Sequence, residues 1–330
     1  MLNILIEGPN LEHYYAKVHI SWRKGWSRMF GARCYGKGYD TYSENIKTFS
    51  QMKEAVFGSR KLDLLVLTDC WNPADLSKGF CYDGIEELDC KKAIFLADFW
   101  SEAEAGRKEF FDFVDRYNID YIFTYFRMPF YLWKDHEVAK KLIWFPVCFD
   151  PEIFNDWADD KLWDVGNLNA GAYAANGFYP ERYKMHQRLL SMGNIKYYYA
   201  KHPGSGMLAE NTPLVGKDFS EKIGACKIFV TSGSLQYRNF NPKYVEAMAS
   251  KTCLFANEPV DADIVGLIDG VNYVKIDEEN FTEKITYYLE HEAERKRIAE
   301  NGYLFAMERY SCYAQAVYVY RQVMMKMCND

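Results

Sequence analysis

Short continuous apolar runs alternate with longer amphipathic stretches along most of the chain. Leu2–Glu7 is one such run, closed by Gly8-Pro9-Asn10, and the form returns at Leu62–Thr68, Ala93–Asp98, Tyr121–Tyr125 and Leu142–Val147. Between them lie helical patterns such as Ser101–Tyr117, where Phe110, Phe111, Val114 and Tyr117 fall at helical spacing. Apolar strands separated by helices indicate a parallel sheet covered on both faces. The rhythm breaks at Phe149–Lys161, where Asp150, Pro151, Asn155, Asp156, Asp159 and Asp160 form a turn-rich linker. A second series follows, with strands expected at Trp163–Leu168, Lys196–Ala200, Lys227–Thr231, Thr252–Ala256 and Asn272–Ile276. Its helices are expected at Pro180–Met192, Lys243–Ser250 and Phe281–Asn301. Pro180 suits a first helical turn. Tyr313–Met327 carries a single apolar face and closes the chain.

The expected fold class is therefore α/β, with two Rossmann-like units in tandem. Residues 1–150 form the first unit, 151–312 the second, and 313–330 a last helix that packs back on the first. Ligands of such sheets bind in the loops beyond the carboxyl ends of the strands, which directs attention to Gly8–Tyr39, Asp98–Glu104, Gly166–Gly177, Lys201–Gly206, Ser232–Asn241 and Asn257–Asp263.

Composition narrows the classes. The 330 residues are 49% hydrophobic and 26% charged, which excludes a disordered or fibrous chain. The net charge of -6 weighs against a general nucleic-acid binder. Nine cysteines without paired spacing read as reduced thiols of a cytoplasmic protein. The start of the chain has neither a basic nor a long apolar leader segment, and no apolar run reaches the roughly 18 residues of a membrane span. Membrane contact is therefore expected to be peripheral at most.

The most informative stretch is Lys243-Tyr244-Val245-Glu246-Ala247-Met248-Ala249-Ser250, placed after a polar loop and before a strand. It resembles the R/K-x-F-E-A-M-A-[SC]-G signature in the C-terminal half of GT-B glycosyltransferases, most nearly the spore-maturation CgeB-type group and the group 1 glycosyl transferases. Trp163-Asp164-Val165-Gly166-Asn167-Leu168 with Tyr179-Pro180-Glu181-Arg182 is similar to the opening of that family's C-terminal domain. Ile285–Leu289 with Arg297–Gly302 looks like its closing helix. The resemblance is clearest over 163–305.

The resemblance implies two facing domains and transfer of a sugar from a nucleotide-diphosphate donor to an acceptor hydroxyl. The donor acts as co-substrate, with no cofactor and no metal. The helix starting near Lys243 would turn its amino end to the diphosphate, with Lys243 and Tyr244 at that end. Glu246 would hold a ribose diol, Gly166 would let the backbone approach closely at a turn, and Arg182 belongs to the matched opening motif. Ser232-Gly233-Ser234 would offer donors to the phosphates. Lys201-His202-Pro203-Gly204 follows a strand and is similar to a step in polyol-phosphate and polysialic acid transferases, where the histidine meets a phosphate; the alternative is a plain turn. The sequence departs from the family at Arg238, which stands where an E-x7-E pair ending at Glu246 would begin. That arginine would grip the diphosphate or be a solvated loop residue.

Signals in the first half are weaker. Asp98 ends a strand where a carboxylate could take the acceptor's proton or cap the next helix. Lys17, Arg23, Lys24, Arg28, Arg33 and Lys37 share a stretch with no acid, and Trp22, Trp26 and Phe30 recur every four residues. This stretch reads as a contact for an anionic surface or single-stranded nucleic acid, or as a packed helix with a solvated basic face. Asp261-Ala262-Asp263 reads as capping rather than metal binding. Glycosyl transfer thus has rivals: a nucleotide- or sugar-binding protein without turnover, a polyol-phosphate transferase, and a transferase acting on modified nucleic acid. The acceptor is left open among glycan, lipid-linked, protein and nucleic-acid hydroxyls.

Overall fold

A computed structural model describes residues 2–68, 82–96, 104–169, 179–201, 203, 206–209, 212–233 and 238–329. The first half runs β1 (Ile4–Glu7), α1 (Val18–Phe30), β2 (Arg33–Tyr35), α2 (Phe49–Phe57), β3 (Leu64–Leu67), β4 (Lys91–Leu96), α3 (Glu104–Arg116), β5 (Tyr121–Thr124), α4 (Met128–Leu132) and β6 (Leu142–Trp144). The second runs β7 (Trp163–Asn167), α5 (Pro180–Ser191), β8 (Tyr197–Tyr199), α6 (Lys217–Gly224), β9 (Cys226–Thr231), α7 (Pro242–Ala249), β10 (Cys253–Ala256), α8 (Ala262–Val265), β11 (Val274–Lys275), α9 (Phe281–Glu290), α10 (Glu292–Tyr310) and α11 (Cys312–Asn329). The expected alternation has become two sheets, ordered β2-β1-β3-β4-β5-β6 and β11-β10-β9-β7-β8. Every strand pair in both is parallel.

The central strands are apolar at consecutive positions because helices cover both faces. All four residues of β3 are fully buried, as are Ile4, Leu5 and Ile6 of β1. Several elements go beyond the sequence expectations, β2 and α2 among them. β2 is a three-residue edge strand whose first residue is exposed, so it leaves no apolar run to detect. α2 begins at a capping box, with the Thr48 side chain accepting from the Gln51 amide and Gln51 reaching back.

The single helix expected over Phe281–Asn301 is two helices that meet at His291, where the backbone leaves the helical region (φ -99, ψ 64). Arg295 makes the break tolerable. Its buried guanidinium donates to the carbonyls of Tyr288 (2.7 Å) and Leu289 (3.3 Å), groups the end of α9 would otherwise leave unpaired.

The chain divides into two compact units interleaved in sequence. The first comprises the segment up to Glu12, Trp22–Pro146 and the chain from Gln315; the second comprises His13–Ser21 and Val147–Ala314. In the first unit the rings of α1 are core. Trp22 stacks on Phe95 at 5.3 Å, and Trp26 stacks on Phe145 at 5.9 Å. Phe30 lies flat on Tyr320 of α11 at 4.0 Å. The basic stretch is partly turned inward: Arg23 is buried and bonds Pro9 O, the Tyr39 hydroxyl (3.3 Å) and Thr68 Oγ1 (2.8 Å). Arg33 donates to Val56 O at 2.8 Å. In the second unit Tyr14 forms an antiparallel bridge with Met207, flanked by bonds from Tyr15 N to Gly206 O (3.1 Å) and from Leu208 N to His13 O (2.9 Å). Among the described residues no helix is long and apolar enough to cross a membrane.

Gly166 lies inside β7 rather than at a turn. A Cβ there would stand 2.5 Å from Cys226 Sγ on the neighbouring strand, so glycine is needed for β7 to pack against β9. Gly166→Ala is expected to lower stability by about 1–3 kcal/mol through overpacking. In a double-mutant cycle read by urea unfolding, Cys226→Ala should relieve most of that loss. Additive costs would show that the sulfur is not the obstacle.

Candidate functional site

In the second sheet β9 and β10 are neighbours, and the chain from the end of β9 through α7 carries most of the residues singled out by sequence. The turn Ser232-Gly233 leaves β9 with both residues buried. The carbonyl of Ser232 accepts from Arg182 Nε (3.0 Å) and Nη2 (2.6 Å), and from Asn241 Nδ2 at 3.3 Å. Arg182, in the first turn of α5, is buried, and its guanidinium lies 3.7 Å from the centre of the Tyr179 ring. Burial pulls its pKa down, while Tyr179 and Tyr244 act the other way. A planar cation stacked on a ring and bonded to a carbonyl makes a rigid brace.

The amide of Gly233 donates to Asn257 Oδ1 at 2.9 Å. Asn257 sits just past β10 and reaches three elements. Its Nδ2 donates to Glu181 Oε2 at 2.7 Å, and the Tyr244 hydroxyl stands 2.7 Å from its Oδ1 and 2.8 Å from its main-chain oxygen. Tyr244 is fully buried, and that burial raises its pKa. It supports the loop from beneath and is remote from solvent. Glycine is required at 233 because a Cβ would meet the backbone carbon of Arg238 at 2.8 Å.

Helix α7 begins one residue earlier than its periodicity suggests, with Asn241 at the N-cap and Pro242 at the first position. The Asn241 side chain accepts from Lys243 N at 3.0 Å, and Asn241 O accepts from Tyr244 N at 3.1 Å. The first amides of α7 are therefore already bonded, as is that of Gly233. Lys243 Nζ pairs with Glu246 Oε2 at 2.6 Å, one turn along α7, and sits 4.2 Å over the Phe219 ring. Both side chains are largely shielded, at 21% and 6% exposed.

The structure thus gathers Arg182, Ser232, Gly233 and Tyr244 around one turn, while Lys243 and Glu246 pair with each other on the helix whose cap, Asn241, is tied to that turn. Lys201 follows β8 at the far edge of the sheet and is exposed. Arg238 lies in the loop between β9 and α7, its backbone left-handed at φ +42. Asp98, His202 and Ser234 lie outside the described residues. Asp261 occupies the N-cap position of α8, where its side chain makes no cap bond. Sequence reasoning did not single out Asn241, Asn257, Glu181 or Phe219. The Asn-Pro step at 241–242 was the one available signal, since it marks a helix start.

A family model described as glycosyl transferase-like matches residues 181–320, which contain this turn and all of α7. No curated protein matches the sequence. Several solved structures match along the whole chain. Anabaena HepE, solved in complex with UDP, is 13% identical with a TM-score of 0.64 and full coverage of both chains. Sucrose-phosphate synthase from Thermosynechococcus elongatus is 11% identical at TM-score 0.61, again with full coverage of both. A glycosyltransferase from Rickettsia africae is 11% identical at TM-score 0.60, covering 100% of this chain and 99% of that one. At such identities the likeness establishes the fold. The fold is that of the GT-B glycosyltransferases, and residues 181–320 carry the glycosyl transferase-like domain.

Asn257→Asp tests the brace. It keeps the acceptor for Gly233 but sets a carboxylate against Glu181, so the two acids must share a proton and their joint pKa rises on folding. Stability is then retained below the unfolded carboxylate range and lost as pH rises through the raised folded value. The expected loss at neutral pH is about 1–3 kcal/mol. Urea melts at acid and neutral pH should show it, and Glu181→Gln in the same chain should restore a donor–acceptor pair and abolish the pH dependence.

Proposed function

We propose that the protein transfers a glycosyl group from a nucleoside-diphosphate sugar, held at the β9 and β10 loops of the second unit, to an acceptor hydroxyl. The acceptor is assigned to the first unit. The observation that carries this reading lies inside the matched domain: Ser232 Oγ is buried and has no hydrogen-bond partner among the described residues, and the carbonyl of the same residue is tied to Asn241, the cap of the helix that carries the shielded Lys243–Glu246 pair. An unpaired buried hydroxyl costs about 1–3 kcal/mol, and a ligand oxygen bonded to it recovers that cost.

In the transfer, the acceptor oxygen bonds to the anomeric carbon as the bond from that carbon to the diphosphate oxygen breaks. The acceptor's proton passes to a base, and the nucleoside diphosphate leaves with the bonding pair. Catalysis comes from stabilising charge on the departing diphosphate and from orienting the acceptor. Lys243 has three donors and spends one on Glu246, so its ammonium can still reach a phosphate oxygen. Glu246 uses Oε2 for Lys243 and keeps Oε1 for a ribose hydroxyl. Asp98 is the proposed base and His202 a further phosphate contact. With the amides of Gly233 and α7 already bonded, side chains rather than backbone carry the anion. The reaction is proposed to need no divalent metal and to take place in the cytoplasm.

HepE was solved with UDP and, in a further crystal, with UDP and glucose, so UDP-sugars are the first donors to examine. A nucleotide that binds only the folded state stabilises it by about 2.7 kcal/mol at a hundred-fold excess over Kd. Thermal shift against UDP, GDP, CDP, ADP and dTDP should single out one nucleotide, and Glu246→Ala should abolish the shift. Transfer should persist in EDTA. A donor that binds without hydrolysis or transfer to any acceptor would instead favour the binding-protein reading that Arg238, in place of an acid, first suggested. No shift with any nucleotide would overturn the assignment.

A further inference from the structure

The loops after β9 and β10 also border an open cavity of about 320 Å3, lined by Arg238, Glu258, Pro259, Val260, Ala262 and Asp263. Its volume is at the small end of ligand pockets, suited to one sugar ring rather than a whole nucleotide.

Arg238 is held there under strain. Its φ of +42 is a left-handed backbone that a residue with a side chain adopts only when its surroundings enforce it. Two contacts do so. Its carbonyl accepts from Val260 N at 3.3 Å, and its backbone packs over Gly233, where no Cβ could fit. Gly233 is in turn fastened to Asn257. The guanidinium therefore starts from a fixed point on the cavity wall.

The charges lining the cavity are unequally committed. Glu258 Oε2 is 2.6 Å from Lys275 Nζ, so its charge is offset. Among the described residues, neither the Arg238 guanidinium nor the exposed Asp263 carboxylate has an ion-pair partner. Among the described residues, the cavity thus offers a planar cation and a carboxylate that no ion pair offsets. A guanidinium fork matches a carboxylate in two parallel hydrogen bonds. A carboxylate accepts from neighbouring ring hydroxyls. A neutral sugar would satisfy Asp263 and leave Arg238 without a counter-charge.

We propose that this cavity receives the sugar of the donor, and that the sugar is a hexuronic acid. Its carboxylate lies on Arg238 and its ring hydroxyls on Asp263. The proposal rests on the reading of the second unit as a nucleotide-sugar site, and it assigns Arg238 to the sugar rather than to the diphosphate.

Calorimetric titration of the full chain with UDP, UDP-glucose and UDP-glucuronate provides the test. UDP-glucuronate should bind roughly tenfold more tightly than UDP-glucose, the worth of one charge-assisted pair. Arg238→Ala should erase that preference, and Arg238→Lys, a point charge without the fork, should keep part of it. A second arm needs no nucleotide: saturation-transfer NMR with free glucuronate and free glucose at millimolar concentration should show contact for glucuronate alone, lost in Arg238→Ala. If UDP binds but the two UDP-sugars bind equally, or the preference survives Arg238→Ala, the sugar assignment is wrong while the donor site stands. If no nucleotide binds but glucuronate contacts the protein through Arg238, the cavity stands and the donor reading falls. If neither binds, both fall.

Discussion

The bonding of a single turn, Ser232-Gly233, governs the second unit. Its carbonyl is held by Arg182 and Asn241 and its amide by Asn257, so it has committed its backbone groups to the protein itself. Each partner belongs to a different element: the first turn of α5, the cap of α7 and the end of β10. A turn bonded in this way cannot shift without breaking contacts to three neighbours at once. Such cross-bracing gives the side chains of the proposed site the fixed support that transfer chemistry would need.

The same bonding changes how an anion can be received. A free helix amino end attracts phosphate because its first amides lack partners. In α7 the cap Asn241 has taken that role, and Pro242 contributes no amide. Among the described residues, the donors proposed for the phosphates are side chains, the Ser232 hydroxyl and the Lys243 ammonium. Lys243 is pre-set by Glu246 and by the Phe219 ring, a shielded arrangement in which the pair's attraction is stronger than in water. An ammonium pinned in this way gives up conformational freedom before ligand arrives, so less is lost on binding.

The architecture was legible because a parallel sheet covered on both faces leaves continuous apolar runs in the chain. Ile4–Glu7, Leu64–Leu67 and Cys253–Ala256 all appear within such runs. β2 was hidden because an edge strand need not be apolar, and the break at His291 because its compensation comes from Arg295, a residue four positions on. The site was legible only in part. Lys243, Glu246 and Arg182 fall in recognisable local patterns. Asn257 does not, since an asparagine after a strand means little until the neighbouring turn is seen to need its oxygen. Gly166 shows the opposite error, in which a glycine assigned to ligand approach is demanded by the sulfur of the adjacent strand.

Arg238 is held by the same turn. As a sequence position it was an anomaly, a cation where an acid was expected. As a structural position it is the one arginine held in left-handed backbone among the described residues, secured by Val260 on one side and Gly233 on the other. A merely solvated arginine gains nothing from such a backbone, because an exposed flexible side chain reaches water equally well from a relaxed one. Strain persists where the aim of a side chain matters. Here the aim is along the wall of a cavity in which Glu258 is already neutralised. On the proposal made above, arginine in place of an acid reverses the charge that the cavity selects for, and the close packing of Gly233 under the Arg238 backbone holds that charge in place.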